Sequence, residues 1–102
     1  MNMVAVDDER LALESLLNVI KKVVTEADVV GFQNAGEALT YIQSHACDVA
    51  FLDIEMRDMS GIELAKQIKK IKPKVNIIFT TGYSEYTGEA FSLHASGYVL
   101  KP

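Results

Sequence analysis

Cysteine is nearly absent from this chain: there is one, Cys47, and it has no partner for an internal disulfide. That scarcity fits a reducing cytoplasm. Two prolines and six glycines leave no Pro- or Gly-rich linker and no low-complexity tract. No apolar run approaches the ~20 residues of a membrane span, and no basic stretch leads into a signal core at the N-terminus. A basic excess is lacking too. Lysine and arginine number 10 against 14 acidic residues, a net charge of -4, which speaks against nucleic-acid binding by this segment. What is present is ordinary for a folded soluble domain: 102 residues, 49% hydrophobic and 24% charged, enough for one core.

The pattern alternates between short apolar runs and amphipathic stretches. Met3 to Val6 reads as a strand that stops at Asp7-Asp8. From Glu9 to Val24 the apolar residues Leu13, Leu16, Leu17, Ile20 and Val24 follow helical spacing, with Glu9 in the first turn and Lys21-Lys22 in the last. Asp28 to Gln33 is a second strand. Asn34 and Glu37 have capping-box spacing and open a helix with an inward stripe of Ala38, Leu39, Ile42 and Ala46. Ser60 and Glu63 repeat that spacing before Ile62, Ala65, Ile68 and Ile71, and Pro73 ends the helix. Val75 to Thr80 is a further strand, leading into Thr81-Gly82. Ser84 to Ala95 is a weaker helix, and Tyr98 to Leu100 a last strand before Lys101-Pro102.

Between these lies Val49-Ala50-Phe51-Leu52-Asp53, an apolar run ending in an acid, with Glu55 two positions on. Such a run reads as a strand buried on both faces in a parallel sheet. Five strands alternating with four helices predict an α/β, flavodoxin-like doubly wound sheet in the order 2-1-3-4-5. In that order the first and third strands are neighbours at the topological switch point, and Asp7, Asp8 and Asp53 meet at the carboxyl edge. Three carboxylates that close repel, so one takes up a proton or a cation sits among them. Magnesium suits hard oxygen ligands that leave room for phosphate. Thr81 ends the next strand, within hydrogen-bonding reach of an oxygen on Asp53. Lys101 ends the one after, roughly 10 Å away. A nucleophilic aspartate, a cation, a hydroxyl and a lysine together describe phosphoryl transfer to a carboxylate.

These residues resemble, in order and over the whole length, a bacterial response-regulator receiver domain of two-component systems. The matching features are Val6-Asp7-Asp8-Glu9, Leu52-Asp53 with Met56, Gly61, Thr81-Gly82, and Gly97-Tyr98-Val99-Leu100-Lys101-Pro102. The resemblance implies that Asp53 is the phosphoacceptor and that Asp8, Asp53 and the Glu55 backbone carbonyl bind Mg2+, with Asp7 helping through water. It implies that Thr81 and Lys101 bind the phosphoryl group, that Thr81 and Tyr98 form a switch pair, and that the Lys101-Pro102 peptide is cis. The expected partners are a sensor histidine kinase and a C-terminal output domain. Phe79 to Tyr83, Glu85-Tyr86 and Glu89 to Phe91 resemble receivers that precede LytTR-type DNA-binding domains. Two departures stand out. Arg57 follows Met56 where many receivers have proline, and the helix expected after the fifth strand is missing, as if the domain were truncated. The apolar face so uncovered suggests a homodimer or element exchange.

Other readings stay in play at this level. Asp7 and Asp8 also suit helix N-caps, Thr81 an ordinary turn, and Tyr98 an edge-strand aromatic. His45 and His94 have no ligand-spaced partner, and Cys47 reads as a small hydrophobe. The lysines from Lys66 to Lys74 read as a solvated helix face, and Met56 and Met59 as loop packing. In function, the alternatives are a magnesium-dependent phosphatase acting through an aspartyl-phosphate, and a degenerate receiver used only for protein binding.

Overall fold

The computed structural model describes residues 1–81 and 97–100, with side chains through residue 80. Its elements run β1 (Asn2–Val6), α1 (Arg10–Val23), β2 (Asp28–Phe32), α2 (Ala35–Ser44), β3 (Val49–Asp53), α3 (Gly61–Ile71), β4 (Asn76–Thr81) and β5 (Gly97–Leu100). The five strands form one sheet in the order β2-β1-β3-β4-β5, every pairing parallel. This is the expected order, and it places β1 beside β3. The helix expected from Ser84 to Ala95 and the Lys101-Pro102 peptide lie outside the described residues.

Strand side chains alternate between two faces, and both faces are apolar here. Val4, Val6, Ala50, Leu52, Ile77 and Phe79 pack with Ala38 and Ile42 of α2 and with Leu64, Ala65 and Ile68 of α3. Met3, Ala5 and Val49 pack with Leu13 and Ile20 of α1 on the other face, flanked by Phe51 and Ile78. Burying a strand on both sides removes the polar alternation of a half-exposed sheet. The runs therefore read as continuously hydrophobic.

Both inferred helix caps form. Asn34 Oδ1 accepts the Glu37 N–H at 3.0 Å, and Ser60 Oγ accepts the Glu63 N–H at 3.2 Å. Four details differ from expectation. Glu9 is the N-cap of α1 rather than a first-turn residue, and its side chain makes no capping bond. Ala46 is exposed because α2 ends at Ser44, and His45 turns back to stack on the Tyr41 ring at 3.9 Å. Ile71, the last residue of α3, is exposed, whereas Leu64 is fully buried. Lys69 is not simply solvated: its Nζ donates to the Val75 carbonyl at 2.6 Å and ties the end of α3 to the start of β4.

Candidate functional site

The carboxyl ends of β1 and β3 carry the acids. Val6 pairs with Leu52, so the next residues, Asp7 and Asp53, are neighbours across the ladder. Both are buried, at 1% and 3% exposure, on the sheet face that carries Ala5 and Phe51. Asp8 lies at the rim, half-buried. Carboxylate oxygens of Asp7, Asp8 and Asp53 all lie within 4.8 Å of one another. At that separation each pair of like charges costs roughly 3 kcal/mol at an effective dielectric near 20. A hard dication answers that repulsion, and the all-oxygen donor set fits magnesium.

Backbone donors hold the trio in place. The Glu9 N–H donates to Asp7 Oδ1 at 3.0 Å, a local turn just ahead of α1; the cap position itself is Glu9, so neither Asp7 nor Asp8 is the N-cap. The Glu55 N–H donates to Asp53 Oδ1 at 3.4 Å, and the Arg57 N–H to Asp8 Oδ2 at 3.0 Å. Residues 55 to 57 thus wrap around the acids, lining a hollow with Asp8, Glu9, Glu55, Met56 and Arg57 at its wall. Asp58, next in the loop, accepts the Ala35 N–H at 3.0 Å and secures the loop to the start of α2.

Gly61 explains why the loop closes tightly. Its N–H donates to the Ile54 carbonyl at 2.9 Å. A Cβ there would overlap the Asp53 carbonyl and lie 2.9 Å from the Ile54 Cα. The first turn of α3 thus abuts the backbone that carries Asp53, an approach open to glycine.

β4 brings Thr81 to its final position, opposite Leu100, and Tyr98 of β5 pairs with Phe79. The side chains of Thr81 and Tyr98, and all of Lys101, lie outside the described residues. Sequence reasoning missed Thr80. It is the residue paired with Asp53, it is 6% exposed, and its hydroxyl has no hydrogen-bond partner among the described residues. The run Thr80-Thr81 carried a signal for it, but register was needed to say which threonine faces Asp53. A hollow of about 760 Å³ beside Cys47, Asp48 and Lys72 lies at the opposite end of the sheet and is lined by none of Asp7, Asp8 and Asp53.

Residues 3–102 match the family model of the response regulator receiver domain. The chain belongs to that family. Among curated relatives it is 43% identical to the sensory transduction protein LytR of Staphylococcus haemolyticus, covering all of this chain and 40% of the relative. It is 35% identical to the sensory transduction protein LytT of Bacillus anthracis, covering all of this chain and 42% of that protein. The receiver therefore spans about two-fifths of the length of these relatives. Among solved structures it is similar to the response regulator TrrA of Thermotoga maritima in complex with Mg2+ and BeF, with a TM-score of 0.88 and 35% identity. That match covers 99% of this chain and 86% of the other. The response regulatory domain of mrkE from Klebsiella pneumoniae matches with a TM-score of 0.87 and 34% identity, over all of this chain and 84% of that one. Family and relatives favour the receiver over the phosphatase alternative. Among the described residues, no helix is long and apolar enough to cross a membrane.

Proposed function

We propose that this receiver accepts a phosphoryl group on Asp53 from the phosphohistidine of a sensor kinase and relays the change to an output domain. The observation that carries the reading is the meeting of Asp7, Asp8 and Asp53 within 4.8 Å at the sheet's carboxyl edge. The complete acidic trio argues against a degenerate receiver. Asp8, Asp53 and the Glu55 backbone carbonyl would hold Mg2+, with Asp7 acting through water. When bound, the ion supplies charge neutralisation for the incoming phosphoryl oxygens.

The chain's own part is mostly positioning. The Glu55 N–H orients Asp53 through Oδ1. A carboxylate oxygen of Asp53 forms the new P–O bond as the donor's P–N bond breaks, and the departing imidazole nitrogen takes up a proton from solvent. Burial of Asp53 limits the approach of water to the resulting acyl phosphate. Thr81 and Lys101 are assigned to the phosphoryl oxygens, and Thr81 and Tyr98 to the conformational switch. This assignment rests on Thr81 closing β4, on Tyr98 lying in β5, on Lys101 following β5 in sequence, and on the family pattern. The resemblance of Phe79 to Phe91 to receivers that precede LytTR-type domains supports a DNA-binding output in the full-length regulator, and the receiver family supports work in the cytoplasm. Turnover is confined to Asp53 itself, without catalysis on outside substrates.

The test is incubation with magnesium and acetyl phosphate followed by intact-mass measurement. One phosphoryl addition, lost in Asp53→Asn and without added metal, is the expected result. No addition to the wild type under any condition refutes the reading.

A further inference from the structure

The β3–α3 loop places a positive charge against the acidic trio. Arg57 Nε lies 3.5 Å from Asp8 Oδ2, the same oxygen that accepts the Arg57 backbone N–H. The two ends of this contact differ sharply. The Asp8 side chain is 15% exposed, whereas that of Arg57 is 90% exposed. Asp8 is a part-buried member of the cluster, and the guanidinium is an exposed arm lying over it from solvent.

Resting on the metal-binding reading above, we infer that Arg57 is a resident counter-charge for the trio, a positioning residue that yields when a divalent cation enters. Its two contacts act differently. The backbone N–H fixes Asp8 Oδ2 and turns the carboxylate, a role any residue but proline can fill. The guanidinium offsets part of the mutual repulsion of Asp7, Asp8 and Asp53 while the site lacks its ion. A dication brings two charges to the same oxygens, after which the arm is redundant and like-charged with its replacement. Because the arm is almost wholly solvated, it swings away without leaving a buried group unpaired. The effect is a threshold: Arg57 lowers the apparent affinity for the cation by the strength of an exposed ion pair.

The size follows from that exposure. Exposed pairs contribute roughly 0.2–1 kcal/mol, so removing the charge tightens binding by about 1.4- to 5-fold. Salt screens such pairs, and the gain fades as ionic strength rises.

The experiment is calorimetric titration of the protein with MgCl2, repeated with MnCl2, at low and at high ionic strength, on wild type, Arg57→Gln, Arg57→Lys and Arg57→Pro. Gln keeps the backbone N–H and removes the charge, and it is expected to bind a few-fold more tightly at low salt and nearly as wild type at high salt. Lys keeps the charge and is expected to stay near wild type. Pro loses both contacts and is expected to bind less tightly than Gln, because Asp8 is no longer held. Equal affinity of Gln and wild type at low salt, or a Lys variant that behaves as Gln does, overturns the inference while leaving the metal site standing. A wild type that binds neither cation overturns the metal-binding reading itself.

Discussion

Asp53 stands directly across the β3–β4 ladder from Thr80, and the hydroxyl of that threonine is buried without a hydrogen-bond partner among the described residues. Side chains paired in this way share a sheet face. A row of polar groups (Asp7, Asp53, Thr80) therefore crosses the sheet at its carboxyl edge, ahead of the apolar rows Ala5–Phe51–Ile78 and Met3–Val49.

An unsatisfied buried hydroxyl costs about 1–3 kcal/mol, and valine has nearly the same shape. Thr80→Val is expected to raise the denaturant midpoint of the metal-free protein by an amount corresponding to about 1 kcal/mol. A lower midpoint would show that the hydroxyl is satisfied in solution.

Gly61 sits against the backbone that carries Asp53. Gly61→Ala forces α3 and the end of β3 apart, and overpacking of this kind costs about 1–3 kcal/mol. Thermal unfolding measures that loss. Magnesium affinity should fall as well, since Asp53 moves with its backbone, whereas a purely global effect would lower stability and leave metal affinity unchanged.

Crowding three carboxylates is a liability in the metal-free protein. Asp7→Asn keeps an oxygen to accept the Glu9 N–H and removes one charge. Without metal the variant is expected to be more stable by about 1 kcal/mol or more, and to be stabilised less than wild type by added magnesium. Paired melts with EDTA and with magnesium report both changes.

How far these features could be read in advance depended on their range along the chain. Apolar runs that stop at Asp7 and Asp53 disclosed the strands, their order and the meeting of the acids, because periodicity and topology act on whole elements. The Asn34 and Ser60 caps were visible because a cap is settled within four residues. Contacts that close long loops were not. The bond from Arg57 to Asp8 spans 49 positions, and nothing local to either residue signals it. Lys69 looked like any exposed helix lysine until the path of residues 73–75 brought the Val75 carbonyl to it. Ala46 was misplaced because helical spacing continues on paper past the point where His45 turns out of the helix.

Burial pushes the Cys47 thiol above its ordinary range, and the Asp48 carboxylate pushes it further, with Lys72 opposing. The folded chain thus holds this proton more tightly than the unfolded one. The associated stability is present at pH below the ordinary thiol value near 8.5 and is lost as pH rises toward the shifted one. Alkylation by iodoacetamide should show its inflection at higher pH in the native protein than in denaturant. Coincident inflections would contradict the shift.

The most direct test of the central claim locates the phosphoryl group on the chain. Protein treated with magnesium and acetyl phosphate is reduced with borohydride, which converts an aspartyl phosphate to homoserine, and is then digested and sequenced by mass spectrometry. Homoserine at position 53, dependent on magnesium, is the expected result. Homoserine at position 7 or 8 instead, or at no position, would contradict the assignment of Asp53.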